Sequence, residues 1–207
     1  TICVGNIYIG GTGKTSLSIK INEIFSKNNL KSCFVKKFYE AQIDEQKILK
    51  KNGALFLSKK RLDAVKIAEK KNYEFAIFDD GLQDKSINYD VSFVCFNNLN
   101  WIGNGMTIPS GPLRENLKNL KKYQHLFLNG NLENLENIKK EILKIHSEAN
   151  IYIGQYKILN INEINQLIQY AFDKAYSLIN DNEDKFLSII KLLKEKRTIG
   201  YDDIIKL

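Results

Sequence analysis

Six consecutive residues near the start of the chain combine glycines, hydroxyl groups and one ammonium group: Gly10, Gly11, Thr12, Gly13, Lys14 and Thr15. An apolar run precedes them, and apolar residues at helical spacing follow from Leu17 onward. Between a strand and a helix, such glycines let backbone N–H groups surround an anion, and the helix N-terminus adds a partial positive charge. In this setting Lys14 reaches the β- and γ-phosphates of a nucleotide and Thr15 ligates Mg²⁺. These residues therefore predict a phosphate-binding loop.

One position departs from the usual phosphate-loop pattern, which has a glycine where this chain has Tyr8. The alternative interpretation is a glycine-rich turn that carries Gly-Lys-Thr by chance. The apolar strand before the turn and the helical pattern after it favour the phosphate-binding loop.

Two adjacent acids, Asp79 and Asp80, follow the apolar run Phe75–Phe78. An acid at the end of a buried strand is in the position of a Walker-B residue, which binds Mg²⁺ directly or through water. The alternative is a pair of turn or helix-capping residues before Gly81. The glycine loop upstream favours the metal-binding interpretation.

A long loop after the strand-like run 91–96 carries Arg114 and Glu115. Loops of this length in α/β domains are often functional. Arg114 could bind a phosphate through two parallel hydrogen bonds, and Glu115 could bind metal or orient Arg114. The alternative is a solvated ion pair beside a turn, which composition alone favours.

A second acidic pair, Asp44 and Glu45, opens a helical segment after the second strand-like run. Acidic residues in a first helical turn complement the helix dipole. From the residues alone, this structural explanation of the pair is favoured.

Apolar runs that alternate with helical segments predict an α/β fold of the P-loop NTPase type. Its sheet is expected to be mostly parallel, with helices on both faces, and ligands bind such sheets at the carboxyl ends of the strands. The glycine loop and Asp79 both lie at such ends. A change in composition indicates a nucleotide-binding core over residues 1–130 and a small α-rich C-terminal lobe or extension over residues 131–207.

The 207 residues are 43% hydrophobic and 27% charged, which is typical of a globular protein. A net charge of +7 fits a phosphorylated substrate, an anionic membrane surface or nucleic acid, although no nucleic-acid motif is visible. No signal peptide or membrane span is apparent.

Cys3, Cys33 and Cys95 lack metal-ligand spacing and predict buried thiols in a reducing compartment. The first residue is Thr1 rather than Met, so we expect further sequence upstream.

Several short motifs follow one another along the chain in a distinctive order: Val4-Gly5-Asn6 leading into the glycine loop, Ile43-Asp44-Glu45-Gln46, Asp79-Asp80-Gly81-Leu82-Gln83, Gly103-Asn104-Gly105 and Gly111-Pro112-Leu113-Arg114-Glu115. In this order and spacing, the chain resembles the tetraacyldisaccharide 4′-kinases, the lipid A kinases of Gram-negative bacteria. The resemblance is clear over residues 1–130.

The resemblance implies transfer of the γ-phosphate of ATP to the 4′-hydroxyl of a tetraacyl-disaccharide 1-phosphate in lipid A biosynthesis. It implies ATP and Mg²⁺ as cofactors, and a cytoplasmic protein that is peripheral at the cytoplasmic face of the inner membrane. The lipid and the membrane surface are the expected partners; no nucleic acid or protein partner is evident. The implied roles are catalysis by Lys14 and the general base Asp44, nucleotide binding by residues 10–15 and Arg114, and metal binding by Thr15, Asp79, Asp80 and Glu115.

The chain also departs from the family pattern. The family has a C-terminal Asp-His-aromatic motif whose His assists the base, and residues 196–200 contain no His. Asp84 stands where the family usually has His, and Lys36-Lys37-Phe38-Tyr39 stands where a Ser-Arg-Gly-Tyr-like element is expected. The N-terminal membrane-approaching segment of the family would lie before Thr1. These departures leave two alternatives, a catalytically impaired nucleotide- or lipid-binding relative and a P-loop ATPase with a protein partner.

Overall fold

The computed structural model describes residues 1–130, 133–155, 160–196 and 198. The chain divides into two compact units, Thr1–Tyr156 and Lys157–Leu207. Within the described residues, the first unit consists of a parallel sheet with helices packed on it, and the second contains two long helices.

Seven strands form the sheet of the first unit, and every neighbouring pair that the structure describes is parallel. Their spatial order is β3-β2-β4-β1-β5-β6-β7. The strands are β1 Ile2–Gly5, β2 Ser32–Lys37, β3 Leu55–Ser58, β4 Phe75–Asp79, β5 Val91–Asn97, β6 His125–Gly130 and β7 Asn150–Gln155. Since β1 lies between β4 and β5, the residues that follow β1 and β4 meet at one edge of the sheet.

Four helices accompany this sheet: α1 Lys14–Lys27, α2 Ile43–Asn52, α3 Arg61–Lys70 and α4 Leu135–Ile145. Short 3₁₀ turns cover Glu40–Gln42 and Leu117–Lys122. The second unit contains α5 Ile161–Asn180 and α6 Glu183–Lys196. The described residues of the second unit are therefore mainly helical.

Alternate side chains of the central strands pack on opposite faces of the sheet. Val4 and Ile77 belong to one buried cluster, to which α1 and α2 contribute apolar side chains. Cys3 and Phe78 belong to another cluster, which includes alanines of α3. This alternation buries both faces, which is typical of a parallel sheet covered on two sides. The predicted fold class is confirmed.

The predicted boundary after residue 130 falls inside the first unit rather than between the units. β7 pairs in parallel with β6, from His125 opposite Asn150 to Gly130 opposite Gln155. Ile138 and Ile142 of α4 are buried in the same cluster as alternate apolar residues of β5 and β6: Val94, Phe96, Leu126 and Leu128. The core therefore extends to the end of β7, because α4 supplies the crossover that a further parallel strand requires.

The three cysteines are buried and free. Burial raises the pKa of Cys3 and of Cys33 to about 12. In the described part of the chain, none of the helices combines the length and the apolar character needed to cross a membrane.

Candidate active site

The glycine loop connects β1 to α1 through two glycines with left-handed backbone. Gly10 has φ of 125° and Gly13 has φ of 82°. Gly13 stands at the N-cap of α1 and has no side chain to cap it. The first N–H groups of α1 are consequently available to phosphate oxygens. Residues 10–16 and Glu45 line a cavity of about 310 Å³ over this turn.

Asn6 is hydrogen-bonded to the glycine loop. It is not among the site residues that the sequence predicts. Its side chain is buried, and Nδ2 donates to Thr12 Oγ1 at 3.0 Å and to the Gly10 carbonyl at 3.4 Å. The signals in the sequence are its position between the strand and the first glycine of the loop and its place in the Val4-Gly5-Asn6 motif.

Asp79 lies beneath the start of α1, as the Walker-B prediction requires. Parallel pairing of β1 and β4 places Val4 opposite Asp79, and the Asp79 side chain is completely buried. Thr15 Oγ1 lies 3.3 Å from Asp79 Oδ2, and Ser18 Oγ lies 3.4 Å from Oδ1. A hydroxyl and a carboxylate at this distance are hard oxygen donors of the type that Mg²⁺ takes in nucleotide sites.

A buried lysine completes the surroundings of Asp79. Lys36 Nζ on β2 donates to Asp79 Oδ2 at 2.7 Å and to Glu45 Oε2 at 2.6 Å. Its side chain is 2% exposed. Burial alone would lower the pKa of Lys36, but the negative charges of Asp79 and Glu45 outweigh burial and raise it. The sequence marks Lys36 only as part of the Lys36-Lys37-Phe38-Tyr39 departure from the family pattern, and two adjacent lysines give no signal that one of them is buried.

The two acids at the start of α2 have different surroundings. Glu45 is half-buried, lines the cavity over the glycine loop and forms the ion pair with Lys36. Asp44 is exposed to solvent. Consecutive helical residues point about 100° apart, which separates the two carboxylates. The structure thus brings Glu45, rather than Asp44, into contact with the Asp79 cluster.

Asp80 pairs with Arg114 through its side chain. Its backbone has φ of 62°, in the left-handed region, and its N–H donates to the Val4 carbonyl at 2.8 Å. Arg114 Nη1 lies 2.9 Å from Asp80 Oδ1. The two predicted metal-binding acids therefore face different partners, Asp79 toward Thr15 and Asp80 toward Arg114.

The loop that carries Arg114 is fastened to the glycine loop by backbone hydrogen bonds. The Ile9 N–H donates to the Pro112 carbonyl at 2.8 Å, and the Arg114 N–H donates to the Ile7 carbonyl at 2.7 Å. Gln83 Nε2 adds a bond to the Asn6 carbonyl at 3.0 Å. These bonds bring the motif before the glycine loop, the motif after β4 and the loop of Arg114 into contact.

Glu115 is held by polar side chains around the same loop. Its Oε1 accepts from Gln83 Nε2 and from the Tyr123 hydroxyl, each at 3.1 Å, and its Oε2 accepts from Asn119 Nδ2 at 3.1 Å. These contacts hold the Glu115 carboxylate against Gln83, Tyr123 and Asn119. Metal binding by Glu115 stays a prediction.

Arg61, at the start of α3, is a further buried charge that sequence reasoning did not assign. Its Nη1 lies 3.0 Å from Asp84 Oδ2, and its Nη2 donates to the Asp80 carbonyl at 2.5 Å. Burial alone would raise the pKa of Asp84, but hydrogen bonds from Ser86 and the Arg61 pair outweigh burial and lower it. Arg61 thereby fixes the backbone turn at Asp80.

A charged cleft of about 490 Å³ adjoins Asp79. Five basic and three acidic side chains line it, together with Tyr39, Gln42 and Gln83: the basic ones are Lys36, Lys37, Arg61, Lys85 and Arg114, and the acidic ones are Asp79, Asp80 and Asp84. The surplus of positive charge suits an anionic ligand.

The first unit has the architecture of the P-loop NTPase class of nucleotide-binding proteins. Its sheet is parallel, a glycine loop connects β1 to α1, and a buried acid ends the neighbouring strand β4. The family model described as tetraacyldisaccharide-1-P 4′-kinase matches residues 1–54 and 44–172. The chain belongs to the tetraacyldisaccharide 4′-kinase family.

Relatives that carry this name cover most of the chain. A tetraacyldisaccharide 4′-kinase from Pelagibacter ubique is 57% identical over 95% of the chain and 61% of that protein. One from Legionella pneumophila (strain Lens) is 30% identical over 72% of the chain and 54% of that protein. The chain thus spans roughly half to three fifths of the length of these relatives.

Two solved structures share the fold. The LpxK of Aquifex aeolicus in complex with ATP has a TM-score of 0.54 and 23% identity, over 65% of this chain and 49% of that one. The chloroplast FtsY of Physcomitrella patens has a TM-score of 0.51 and 13% identity, over 76% of this chain and 58% of that one. Both likenesses concern the sheet and its helices.

Proposed function

We propose that this chain is the nucleotide-binding core of a kinase that transfers the γ-phosphate of ATP to the 4′-hydroxyl of a tetraacyl-disaccharide 1-phosphate. The observation that carries the proposal is the 3.3 Å approach of the Thr15 hydroxyl to the buried Asp79 carboxylate, beside an uncapped helix N-terminus. The names of the relatives supply the acceptor, and the named LpxK structure, in complex with ATP, supports the donor.

The residues of the glycine loop bind the nucleotide in this proposal. The N–H groups at the start of α1 hold the phosphates, and Lys14, the first residue of α1, extends to the γ-phosphate. Phosphoryl transfer requires little covalent chemistry from the protein, so positioning and charge neutralisation supply most of the rate. Lys14 is catalytic in this sense, because it stabilises the charge of the transferred group.

Thr15 and Asp79 would hold Mg²⁺ together with the nucleotide phosphates. Their oxygen atoms face each other at the start of α1, and oxygen donors of this kind fit Mg²⁺. Bound Mg²⁺ supplies positive charge to the β- and γ-phosphates. Because Asp79 faces the Thr15 hydroxyl whereas Asp80 faces Arg114, we infer that Asp79 is the acid nearer the metal.

The charged cleft is our candidate for the acceptor site. Its basic surplus matches a disaccharide that carries a phosphate, and it shares Asp79 with the nucleotide site. Lys37 and Lys85 are the lining lysines apart from the ion-paired Lys36, and Arg114 adds a guanidinium. In this proposal Arg114 lies between the donor and acceptor sites and helps to position both ligands.

Asp44 is our candidate for the general base that accepts the proton of the sugar hydroxyl. Its neighbour Glu45 is engaged by the Lys36 ammonium at 2.6 Å, whereas Asp44 is exposed and close in sequence to the same site. The Lys36 ion pair engages the Glu45 carboxylate, which leaves the exposed Asp44 as the acid that can approach the sugar hydroxyl.

We also infer that the protein works at the cytoplasmic face of the inner membrane, where a lipid acceptor resides. The net charge of +7 supports this, since basic surfaces are attracted to anionic leaflets. Sedimentation with vesicles of anionic lipid, compared with vesicles of zwitterionic lipid, tests the inference. Equal binding to both vesicle types would contradict it.

Nucleotide binding without transfer is the second candidate function. The observation that favours it is the placement of the chain's two histidines, His125 in β6 beside Tyr152 and His146 after α4. Neither histidine stands in a motif of the Asp-His-aromatic type that the family uses to assist the base. This candidate predicts Mg-ATP binding with no phosphorylated lipid at any enzyme concentration.

A transfer assay in detergent micelles separates the two candidates. The chain is incubated with Mg-ATP and the tetraacyl-disaccharide 1-phosphate, and the 4′-phosphorylated product is detected by mass. We expect product from the parent chain, none from Lys14→Ala, and parent-like product from Lys20→Ala, which removes an exposed lysine of the same helix. Undiminished product from Lys14→Ala would contradict the proposed mechanism.

A further inference from the structure

Lys36 places a positive charge where the site would otherwise be strongly acidic. Its Nζ lies 2.7 Å from Asp79 Oδ2 and 2.6 Å from Glu45 Oε2. Lys36 and Asp79 have side chains 2% and 0% exposed, respectively, so water does not screen their interaction. The phosphate-binding motif does not contain this lysine; it comes from β2, two strands away from β1.

The same carboxylate serves both Lys36 and the proposed metal site. Asp79 Oδ2 is within 2.7 Å of Lys36 Nζ and 3.3 Å of Thr15 Oγ1. A buried carboxylate requires a cation or hydrogen-bond donors to offset its desolvation. Lys36, Thr15 and Ser18 provide these without any metal.

Two cations at one buried carboxylate repel each other. At the separation of neighbouring side chains, this repulsion is large compared with thermal energy, because the surroundings have a low effective dielectric constant. The ammonium of Lys36 therefore lowers the affinity of Asp79 and Glu45 for a divalent ion. Nucleotide phosphates bring additional negative charge and offset the repulsion.

We propose that Lys36 is a built-in counter-cation of the metal site, which keeps the affinity for free Mg²⁺ low and makes Mg²⁺ bind together with the nucleotide. In the nucleotide-free protein, Lys36 holds Glu45 and Asp79 in position in place of the metal. The identification of the site as one for Mg²⁺ and nucleotide rests on the proposed function. Lys36 acts here as a positioning residue.

Free Mg²⁺ binding without nucleotide tests the proposal directly. Isothermal titration calorimetry with MgCl₂ alone is run on the parent chain, Lys36→Met and Lys37→Met. We expect Lys36→Met to bind Mg²⁺ at least about tenfold more tightly than the parent, because a repelling charge is removed. Lys37→Met is the matched control, because it removes the same charge from the next residue of β2. Lys37 Nζ lies over the Tyr39 ring, 5.3 Å from the ring centroid.

Two further variants cover the case in which Lys36→Met does not fold. Lys36→Gln keeps a hydrogen-bond donor and removes the charge, so it should also bind free Mg²⁺ more tightly. Lys36→Arg keeps the charge and should bind Mg²⁺ as weakly as the parent. Equal Mg²⁺ affinity in the parent and Lys36→Gln would overturn the proposal, as would a gain of the same size in Lys37→Met.

The titration is independent of catalysis. A chain that makes no phosphorylated lipid but gains Mg²⁺ affinity in Lys36→Gln supports the counter-cation role and rejects the kinase assignment. A chain that makes product but shows no change in Mg²⁺ affinity in Lys36→Gln supports the kinase assignment and rejects the counter-cation role.

Discussion

Arg114 and Asp80 form an ion pair between two motifs that are 34 residues apart, with Nη1 and Oδ1 separated by 2.9 Å. The pair joins the loop after β5 to the turn after β4. Both acids line the charged cleft, but Asp80 pairs with Arg114 while Asp79 faces Thr15 of the glycine loop. The two adjacent acids thereby have different partners.

We expect Arg114→Ala to lower kcat/KM for lipid phosphorylation by about 100-fold, because acceptor and nucleotide lose a shared positioning group. Stability should change by less than about 1 kcal/mol, since partly exposed ion pairs contribute little. Steady-state kinetics and urea unfolding measure the two effects. Arg114→Lys retains the charge and should recover only part of the activity; full activity in Arg114→Ala would contradict the role.

The proposed base is tested by comparing the two acids of α2. Asp44→Asn should lower kcat by about 10²–10⁴-fold with little change in the affinity for Mg-ATP, as expected for loss of a general base. Glu45→Gln should instead weaken the Lys36 pair and change metal and nucleotide binding. If Asp44→Asn retains parental kcat while Glu45→Gln loses it, the two assignments are exchanged.

Gly5→Ala should destabilise the fold by about 1–3 kcal/mol, because overpacking forces neighbouring groups to move. A Cβ at Gly5 would lie 2.6 Å from Leu82 Cγ, a residue of the motif that follows β4. Urea denaturation measures the change. Gly11→Ala is the control, since its Cβ would meet nothing within 4 Å, and a loss of stability as large as that of Gly5→Ala would refute the packing argument.

Stability should fall as pH rises above 9. Burial raises the pKa of the Cys3 thiol from 9.0 to about 12, so the unfolded chain loses this proton first and becomes favoured with increasing pH. The stabilisation is complete below pH 9 and disappears toward pH 12, with a slope of at most about 1.4 kcal/mol per pH unit for one thiol.

Urea unfolding at several pH values checks this dependence. Cys3→Ala should flatten the decline above pH 9 relative to the parent chain, because it removes one of the thiols whose pKa burial raises. Cys33, whose pKa is raised in the same direction, accounts for part of the slope that remains. An identical slope in Cys3→Ala and the parent would contradict the assignment.

The sequence located most of the secondary structure because apolar periodicity is local. The strands of the first unit, the glycine loop and the acid at the end of β4 could all be predicted from residues within a few positions of one another. The C-terminal end of the core could not be predicted in this way. The composition changes after residue 130, yet β7 continues the sheet, and only pairing with β6 decides this.

The candidate site shows the same division between local and tertiary information. The sequence by itself predicted that Lys14, Thr15 and Asp79 form a phosphate and metal site, because their motifs have fixed positions relative to a strand and a helix. Only the tertiary structure decided that Lys36 neutralises Asp79, that Asp80 pairs with Arg114, and that Glu45 rather than Asp44 enters the cluster. These contacts depend on which strands are neighbours and which way each side chain points, and neither is encoded in residues that are adjacent along the chain.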